Sequence, residues 1–409
     1  MDSTVFGRQG IKRSLICCQR NAFCRLRTTA IGEDRAAVGL LPCTCNCASF
    51  LDRCWHPQLR LFLGSKGTVM GSPLVTVFGG SGFVGRYIVR RLAASGARVR
   101  VAVRDIETAY FLKTCGDLGQ ISLMPTSLGS DSEVARAING ADWVVNTVGI
   151  LEERGERTFT AVHVEGAARI ARAAAQAGAS RFVHVSALGA DVGAASSYAQ
   201  SKAEGESEVM TAFPTATIIR PSVIFGPEDG FFNVFANMAR IISVLPYFSH
   251  IVPHAEGGGG TKFQPVYVGD VAEAAVAALS DNAHSSKIYE VGGPVVLDMR
   301  SVLEVVNRHT DRNTWICGLP FWVGRTMASF SFFWRKFAYF FAVLRLYLPR
   351  PLVTLDQMKL LETDNVLDGS KPGFTELGIE ATTVESIVPT YLRRFRPYQQ
   401  QKKLRLNAR

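Results

Sequence analysis

Cysteine is scarce over most of this 409-residue chain. Seven of the nine cysteines precede residue 55, and only Cys115 and Cys317 follow. Two well-separated cysteines in a body of this size indicate a fold that needs no disulfides and a reducing compartment. The early cysteines between Cys43 and Cys54 have C-x-C-x-C spacing. Structural zinc sites use paired C-x2-C spacing, so we predict no metal site, even with His56 nearby.

Long apolar runs are also missing. No uninterrupted apolar segment follows the first basic residues, which argues against a secretory signal. Residues 315–350 are rich in Phe, Trp and Tyr, but charges interrupt them at Arg325, Arg335-Lys336 and Arg345. A spanning helix needs roughly 20 apolar residues, so this segment is predicted not to cross a bilayer. Its aromatic and basic composition suits an element lying in the membrane interface, and a core helix with snorkelling arginines is the alternative.

Acidic residues are sparse at both ends of the chain. Residues 1–70 carry a net charge of +6 and residues 393–409 a net charge of +7, which leaves the middle near −3. This distribution gives little support to nucleic-acid binding. The basic tail suits a membrane surface or an acidic protein face, although a solvated end has the same composition. The Arg-rich extension 1–71 resembles an organelle transit peptide; alternatively, Met70 is the true start.

Strand and helix patterns alternate through residues 72–225. The first strand is expected only after Pro73, at Leu74–Phe78, and it runs into GGSGFVG and then a helix over Arg86–Ser95. Further apolar strands are predicted at residues 98–103, 121–124, 143–148 and 181–185, with helical segments between them. This βαβ alternation predicts an α/β fold: a Rossmann-type, doubly wound parallel sheet. A smaller C-terminal subdomain over 226–392 is expected to interleave with it.

The glycine loop predicts a dinucleotide site, because it lies between a strand and a helix. Gly79 permits the tight turn, Gly82 lets the backbone approach a pyrophosphate, and Gly85 allows close packing of helix on strand. The free N–H groups at the helix start attract phosphate. The cofactor-binding residues predicted in this loop are Gly79, Ser81, Gly82, Phe83 and Gly85.

The identity of the nucleotide depends on Arg104, which ends the second strand 19 residues after Gly85. An acidic residue at this place binds the ribose 2′-hydroxyl of NAD, whereas an arginine accepts a 2′-phosphate. Arg104 therefore favours NADP(H), with Arg86 as a second phosphate partner. Asp105 keeps NAD(H) open as the alternative, if the strand ends one residue later.

A catalytic set is predicted after the fifth strand. Ser186 ends that strand, and Tyr198 and Lys202 follow at i and i+4 of a helix, on one face. The lysine ammonium is expected to lower the tyrosine pKa, so that the phenol serves as acid or base near neutral pH. Ser186 is expected to hold the substrate oxygen beside Tyr198. The alternative is a vestigial set on a fold kept for binding.

These motifs resemble the short-chain dehydrogenase/reductase superfamily, in its extended or atypical branch, over about residues 72–395. The resemblance implies that Asn146 and Gly149, in the turn after the fourth strand, and Pro221, in the stretch ATIIRPSVIFG, border the cofactor. It also implies an Asn where this chain has His163. That Asn seats the catalytic lysine through water, so its loss weakens the case for turnover more than the case for cofactor binding.

One family within the superfamily fits more closely: the 39 kDa accessory subunit of NADH:ubiquinone oxidoreductase (complex I) and its bacterial relatives. The stretches that carry this resemblance are Ala212–Pro214, Arg220–Met238, Phe263–Val271, Thr354–Asn365 and Leu377–Thr382. The resemblance implies a subunit that holds NADPH for structure. It would contact other complex I subunits and lie peripherally on the inner membrane, on the mitochondrial matrix side or the bacterial cytoplasmic side. An active NAD(P)-dependent oxidoreductase or sugar-nucleotide epimerase is the main alternative, and an NADP(H)-sensing regulator is a third.

Overall fold

The computed structural model describes residues 4–6, 12–16, 25–29, 72–249, 259–326, 329 and 354–397. The chain divides into two compact units, Met1–Met70 and Gly71–Arg409. The cluster from Cys43 to His56, most of residues 327–353 and the end of the tail, 398–409, lie outside the described residues, so the predictions on them stay predictions.

The first unit contains a three-stranded antiparallel sheet. Its strands are β1 (Thr4–Phe6), β2 (Lys12–Ile16) and β3 (Arg25–Thr29), paired in that order. The expectation that the first strand follows Pro73 was therefore wrong. Strands of three to five residues are too short for their alternation to stand out in a sequence.

The second unit is built on a seven-stranded sheet in which every neighbouring pair is parallel. The strand order is β14-β9-β8-β7-β4-β5-β6. The strands are β4 (Leu74–Phe78), β5 (Arg98–Val103), β6 (Ile121–Pro125), β7 (Trp143–Asn146), β8 (Arg181–Val185), β9 (Thr217–Pro221) and β14 (Ile288–Val291). The predicted Rossmann-type sheet is confirmed.

Helices cover both faces of this sheet. The helices are α1 (Phe83–Ala94), α2 (Asp131–Ile138), α3 (Gly166–Gln176), α4 (Ser197–Ala212) and α6 (Val268–Ser280). Val75 and Val77 of β4 pack in one core with α1 and α6, whereas Phe78 packs in a second core with α2, α3 and α4. Because successive strand residues point to opposite faces, one apolar strand supplies both cores.

Short irregular helices separate some of these elements. A 3₁₀ segment, Glu107–Cys115, precedes β6, and a π-helix, Thr160–Glu165, runs directly into α3. The long alanine-rich helix predicted over 158–178 thus begins as a π-turn. Such turns are rare and are found mainly at functional sites.

The remaining chain forms a layer of short strand pairs and helices. Parallel pairs join β10 (Ile224–Phe225) to β13 (Val266–Tyr267) and β11 (Val244–Ser249) to β16 (Trp315–Pro320), and an antiparallel pair joins β12 (Lys262–Phe263) to β15 (Leu297–Asp298). The helices are α5 (Phe232–Ile241), α7 (Met299–Thr310), α8 (Leu355–Leu361) and α9 (Val384–Leu392).

The aromatic segment 315–350 starts as strand β16, not as an amphipathic helix. Residues 321–326 are helical, and the rest of the segment lies outside the described residues except for residue 329. In the part of the chain that is described, no helix has the length and hydropathy required to span a bilayer.

Candidate functional site

The glycine loop closes tightly between β4 and α1. Gly79 has φ +75°, and its carbonyl accepts the Gly82 N–H at 2.9 Å. A Cβ on Gly85 would lie 2.3 Å from the Gly79 carbonyl oxygen, so only glycine fits at position 85. The loop is thus held by contacts between backbone atoms, and it brings the start of α1 against the end of β4.

Helix α1 begins without a side-chain cap. Its N-cap is Gly82, no side chain accepts its first N–H groups, and no acid lies in its first turn. Uncapped N–H groups and the positive end of the helix dipole favour a phosphate at this place. The ring of Phe83 packs in the core beside Gly226 and Tyr87, so Phe83 offers its backbone rather than its side chain to the loop.

A cavity of about 190 Å³ opens at the carboxyl ends of β4, β5 and β7. Five of the predicted cofactor residues line it: Gly79, Ser81, Gly82, Arg104 and Gly149. Thr126, Leu128, Val148 and Val162 complete much of its apolar wall. Parallel sheets bind nucleotides at this edge, so the fold and the loop point to one place.

Two arginines line the cavity, and one of them is Arg157, which the sequence analysis missed. No motif marks Arg157, because it belongs to an irregular loop after β7. Arg86, which was predicted to be a second phosphate partner, is not among the residues that line the cavity. Its guanidinium donates to the carbonyl oxygens of Ser81 and Gly82 and lies 3.6 Å from Glu228.

Asn146 and Gly149 shape the turn that follows β7. The Asn146 amide donates to His184 Nδ1 at 3.1 Å, and its oxygen accepts the Val148 N–H at 3.0 Å. A Cβ on Gly149 would lie 3.3 Å from Lys202 Nζ. Asn146 therefore orders the loop that lines the cavity, while Gly149 leaves room for the lysine.

Lys202 is buried at the end of β8. Its ammonium donates to the carbonyl oxygen of Val185 at 3.4 Å, directly beside Ser186. Desolvation lowers the pKa of Lys202 to about 8, and the Glu206 carboxylate one turn further along α4 opposes that shift. Glu206 is itself paired in bidentate fashion with Arg220, at 2.7 to 3.2 Å.

Tyr198 has neither the contacts nor the pKa shift that the sequence predicted. Among the described residues, its hydroxyl is hydrogen-bonded to neither Ser186 nor Lys202, and its ring packs edge-on against Phe159 and His163. Burial raises the pKa of Tyr198 to about 12. The predicted lowering by Lys202 was therefore wrong, because desolvation of the phenolate outweighs the attraction of a lysine that is itself desolvated. The Ser186 Oγ is buried and has no hydrogen-bond partner within the described chain.

His163 takes the place of the superfamily's Asn and links three elements. Its Nε2 accepts the Ile150 N–H at 3.0 Å, so Nδ1 carries the proton and donates to Ser201 Oγ at 2.9 Å. Ser201 in turn donates to the Tyr198 carbonyl at 2.8 Å. His163 thus joins the cavity loop to α4 through hydrogen bonds made by the protein itself.

Comparisons with known proteins agree with this architecture. The model of the NAD dependent epimerase/dehydratase family matches residues 75–292. Alpha subcomplex subunit 9 of mitochondrial NADH dehydrogenase [ubiquinone] 1 is 31% identical in Mus musculus over 90% of this chain and 92% of that protein. The Arabidopsis thaliana protein is 34% identical over 77% and 76% of the two chains.

The chain belongs to the NAD dependent epimerase/dehydratase family. It is an epimerase/dehydratase-type protein of the subunit 9 group. The crystal structure of gox2253 shares the fold, with a TM-score of 0.57 and 20% identity over 79% of this chain and 98% of that one.

The stretch Thr354–Asn365, which suggested the subunit 9 group, contacts two other parts of the fold. Asp356 of α8 accepts hydrogen bonds from the Ser196 hydroxyl at 2.7 Å and from the Ser197 and Tyr198 N–H groups at 2.7 and 3.2 Å. The C-terminal part of the chain thereby caps the helix that carries Tyr198 and Lys202. Ser222, one residue after Pro221, donates to the Asn365 side chain at 2.6 Å.

Two further contacts bind this part of the chain to the fold. Buried Asp229 accepts the Tyr391 hydroxyl at 2.7 Å and the N–H groups of Gly226 and Asn233 at 3.1 and 3.0 Å. Asp270 accepts both the N–H and the hydroxyl of Thr382, at 2.7 and 2.9 Å. These residues connect the C-terminal part of the chain to the rest of the fold, and none of them lines the cavity.

Proposed function

We propose that this protein is an NADP(H)-binding accessory or assembly subunit of respiratory complex I, in which the nucleotide is held for structure. The observation that carries the proposal is the similarity to mitochondrial complex I subunits over nearly the whole chain, C-terminal part included. The site agrees with it. The cavity and glycine loop are intact, whereas among the described residues the Tyr198 hydroxyl is not hydrogen-bonded to Ser186 or Lys202, and burial raises the pKa of Tyr198 to about 12.

The residues present fit a dinucleotide. The uncapped start of α1 suits the pyrophosphate, and the Gly149 turn lines the same cavity, whereas Pro221, predicted to border the nicotinamide, ends β9 and is not among the lining residues. When bound, this cofactor supplies hydride transfer, but the proposed role of the chain is to bind and bury it. Arg104 lines the cavity, while the Asp105 carboxylate accepts the Glu107 N–H at 2.9 Å and is not part of the wall. This arrangement supports NADP(H) over NAD(H).

The proposed location is the surface of the inner membrane, on the matrix side in mitochondria or the cytoplasmic side in bacteria. The relatives in mouse and Arabidopsis are mitochondrial proteins. Exposed Trp315 and Trp322, at 80% and 67% exposure, begin the aromatic segment, and the basic tail adds attraction to anionic lipid. The proposed contacts are complex I subunits and this membrane surface, with no role in nucleic-acid binding.

The test is mass spectrometry of nucleotide released from the purified full chain, combined with a pull-down from membranes solubilised in mild detergent. We expect bound NADP(H) and co-purification of respiratory-complex subunits. A chain that holds no nucleotide and captures no such subunit would contradict the proposal.

A second candidate is an active oxidoreductase or epimerase that uses Ser186, Tyr198 and Lys202. The retained side chains and the unpartnered Ser186 hydroxyl favour it, because an idle scaffold has no physical need for them. Tyr198→Phe separates the two candidates. We expect this variant to retain nucleotide and restore complex I assembly as well as the wild type does. A cellular defect caused by this variant, with nucleotide still bound, would instead favour the active enzyme.

A further inference from the structure

We infer that Arg157 is a second arm of the nucleotide site, which binds the 2′-phosphate of the adenosine ribose together with Arg104. The inference rests on the proposed NADP(H) binding and adds a specificity-determining residue to it. Both side chains line the same cavity, although they come from different loops, one after β5 and one after β7.

A small hairpin presents Arg157. The backbones of Arg154 and Arg157 exchange two N–H to carbonyl hydrogen bonds, each 3.1 Å long, around a turn in which Gly155 has φ +58°. The Phe159 N–H donates to the Glu153 carboxylate at 2.7 Å, which fastens the hairpin to the start of the π-helix. The guanidinium therefore extends from a defined turn and not from a free loop.

The charges around Arg157 favour the binding of an anion. Arg154, on the same hairpin, is paired with Glu152 at 2.7 Å. Among the described residues, no carboxylate lies within ion-pair distance of either Arg104 or Arg157. Desolvation, then the positive charge of Arg104 and that of Arg154, lower the pKa of Arg157, which agrees with Arg104 and Arg157 lining the same cavity.

Two neighbouring guanidiniums without a carboxylate are stabilised by a doubly charged oxyanion. Guanidinium groups bind phosphate oxygens with paired N–H donors, and these charge-assisted bonds are about twice as strong as neutral ones. The ribose 2′-phosphate is the anion that an arginine at the Arg104 position accepts in this fold. A hydroxyl at that place would leave the repulsion between the two arginines unrelieved.

The experiment compares adenosine 2′,5′-bisphosphate with AMP, two probes that differ only in the 2′-phosphate. Binding to the full chain, after dialysis to remove co-purified nucleotide, is measured by calorimetry at fixed ionic strength. We expect Arg157→Ala to lower the affinity for the bisphosphate by about tenfold to a hundredfold, the effect of losing a charged hydrogen bond. The affinity for AMP should stay within about twofold of the wild type. Arg104→Ala should behave in the same way. Arg157→Lys should keep an intermediate preference, because a lysine supplies the charge without the fork.

Arg154→Ala is the matched control, since it removes an arginine from the same hairpin but outside the cavity. Because Arg154 is exposed and paired with Glu152, the variant should keep the preference for the bisphosphate over AMP within about twofold of the wild type. If Arg157→Ala weakens neither probe, or weakens both equally, while the wild type still prefers the bisphosphate, Arg157 is not part of the site and the proposed NADP(H) binding stands. A wild type that binds both probes equally would instead overturn the NADP(H) proposal, and the inference with it.

Discussion

Two histidines at the site are buried in a neutral state. His163 and His184 are each 2% exposed, and desolvation together with the charge of Lys202 lowers the pKa of both to about 3. Each ring nitrogen that accepts a hydrogen bond, Nε2 of His163 and Nδ1 of His184, would lose that bond on protonation. Acid therefore breaks the polar links between the cavity loop, β8 and α4.

The first prediction concerns stability against pH. Between pH 6 and about 3 the unfolded chain binds two protons that the folded chain excludes, so the free energy of unfolding decreases as the pH is lowered through this window. The slope is on the order of 3 kcal/mol per pH unit for the pair. We expect the melting temperature to drop steeply from pH 7 to pH 5, as measured by differential scanning calorimetry of the full chain.

The variant His163→Asn serves as the comparison. Asn does not titrate, and its side-chain oxygen offers an acceptor to the Ile150 N–H, so about half of the pH dependence should disappear. An unchanged slope in this variant would show that the acid sensitivity comes from other groups.

Arg104 and Arg157 mark how far single residues could be predicted. The strand pattern predicted the position of Arg104 at the end of β5, and its proposed role follows from that position. Arg157 could not be found in the same way, because the hairpin that presents it has no periodicity. The predicted direction of the pKa shift of Tyr198 was wrong, because spacing reveals which side chains are neighbours but not how much water surrounds them.

At the scale of elements, the N-terminus of α4 depends on a side chain from α8. Asp356 satisfies two backbone N–H groups and the Ser196 hydroxyl, and its negative charge lies at the positive end of the helix dipole. We expect Asp356→Ala to lower the free energy of unfolding by about 2 kcal/mol, the upper range for loss of a helix cap. Chemical denaturation at pH 7 measures this change.

Glu208→Ala is the control for that variant, because it removes an exposed carboxylate from the same helix without a cap. Its unfolding free energy should stay within about 0.5 kcal/mol of the wild type. If the two variants were equally stable, the contact between α8 and α4 would carry no energy.

Elements made from local patterns were predictable, whereas pairings between distant segments were not. Most strands of the main sheet are short apolar runs bounded by glycine or polar residues, so the sequence predicts their place and a parallel sheet, but it predicts neither the strand order nor β14. Residues 315–320 instead pair with residues 244–249, and nothing in either stretch identifies the other. The sequence of the aromatic segment therefore did not reveal that its first part is a strand, while its predicted place at the membrane surface stays a prediction.

At the scale of the whole molecule, the C-terminal residues complete the core. Val384, Val388 and Leu392 of α9 pack in one buried cluster with Phe225 of β10 and Phe232 of α5. Burial of such side chains contributes roughly 1.5–3 kcal/mol each, which together approaches the stability of an ordinary domain. We expect deletion of residues 384–409 to abolish cooperative unfolding and soluble expression.

The matched variant is Tyr391→Phe, which loses only the hydrogen bond to Asp229. It should fold and melt cooperatively, with a loss of about 1–2 kcal/mol. A truncated chain that still melts in one transition would contradict the view that α9 is part of the same cooperative unit.

The contacts between early and late segments also determine when the chain can fold during its synthesis. Ser196, Ser222, Asp229 and Asp270 are made 112 to 162 residues before their partners. A nascent chain that already contains the whole nucleotide sheet still has buried polar groups without partners until its last few dozen residues emerge. Early binding of nucleotide would stabilise this unfinished state by mass action. A cofactor that is never turned over would then act on the folding of the protein, at the stage when the fold is least complete.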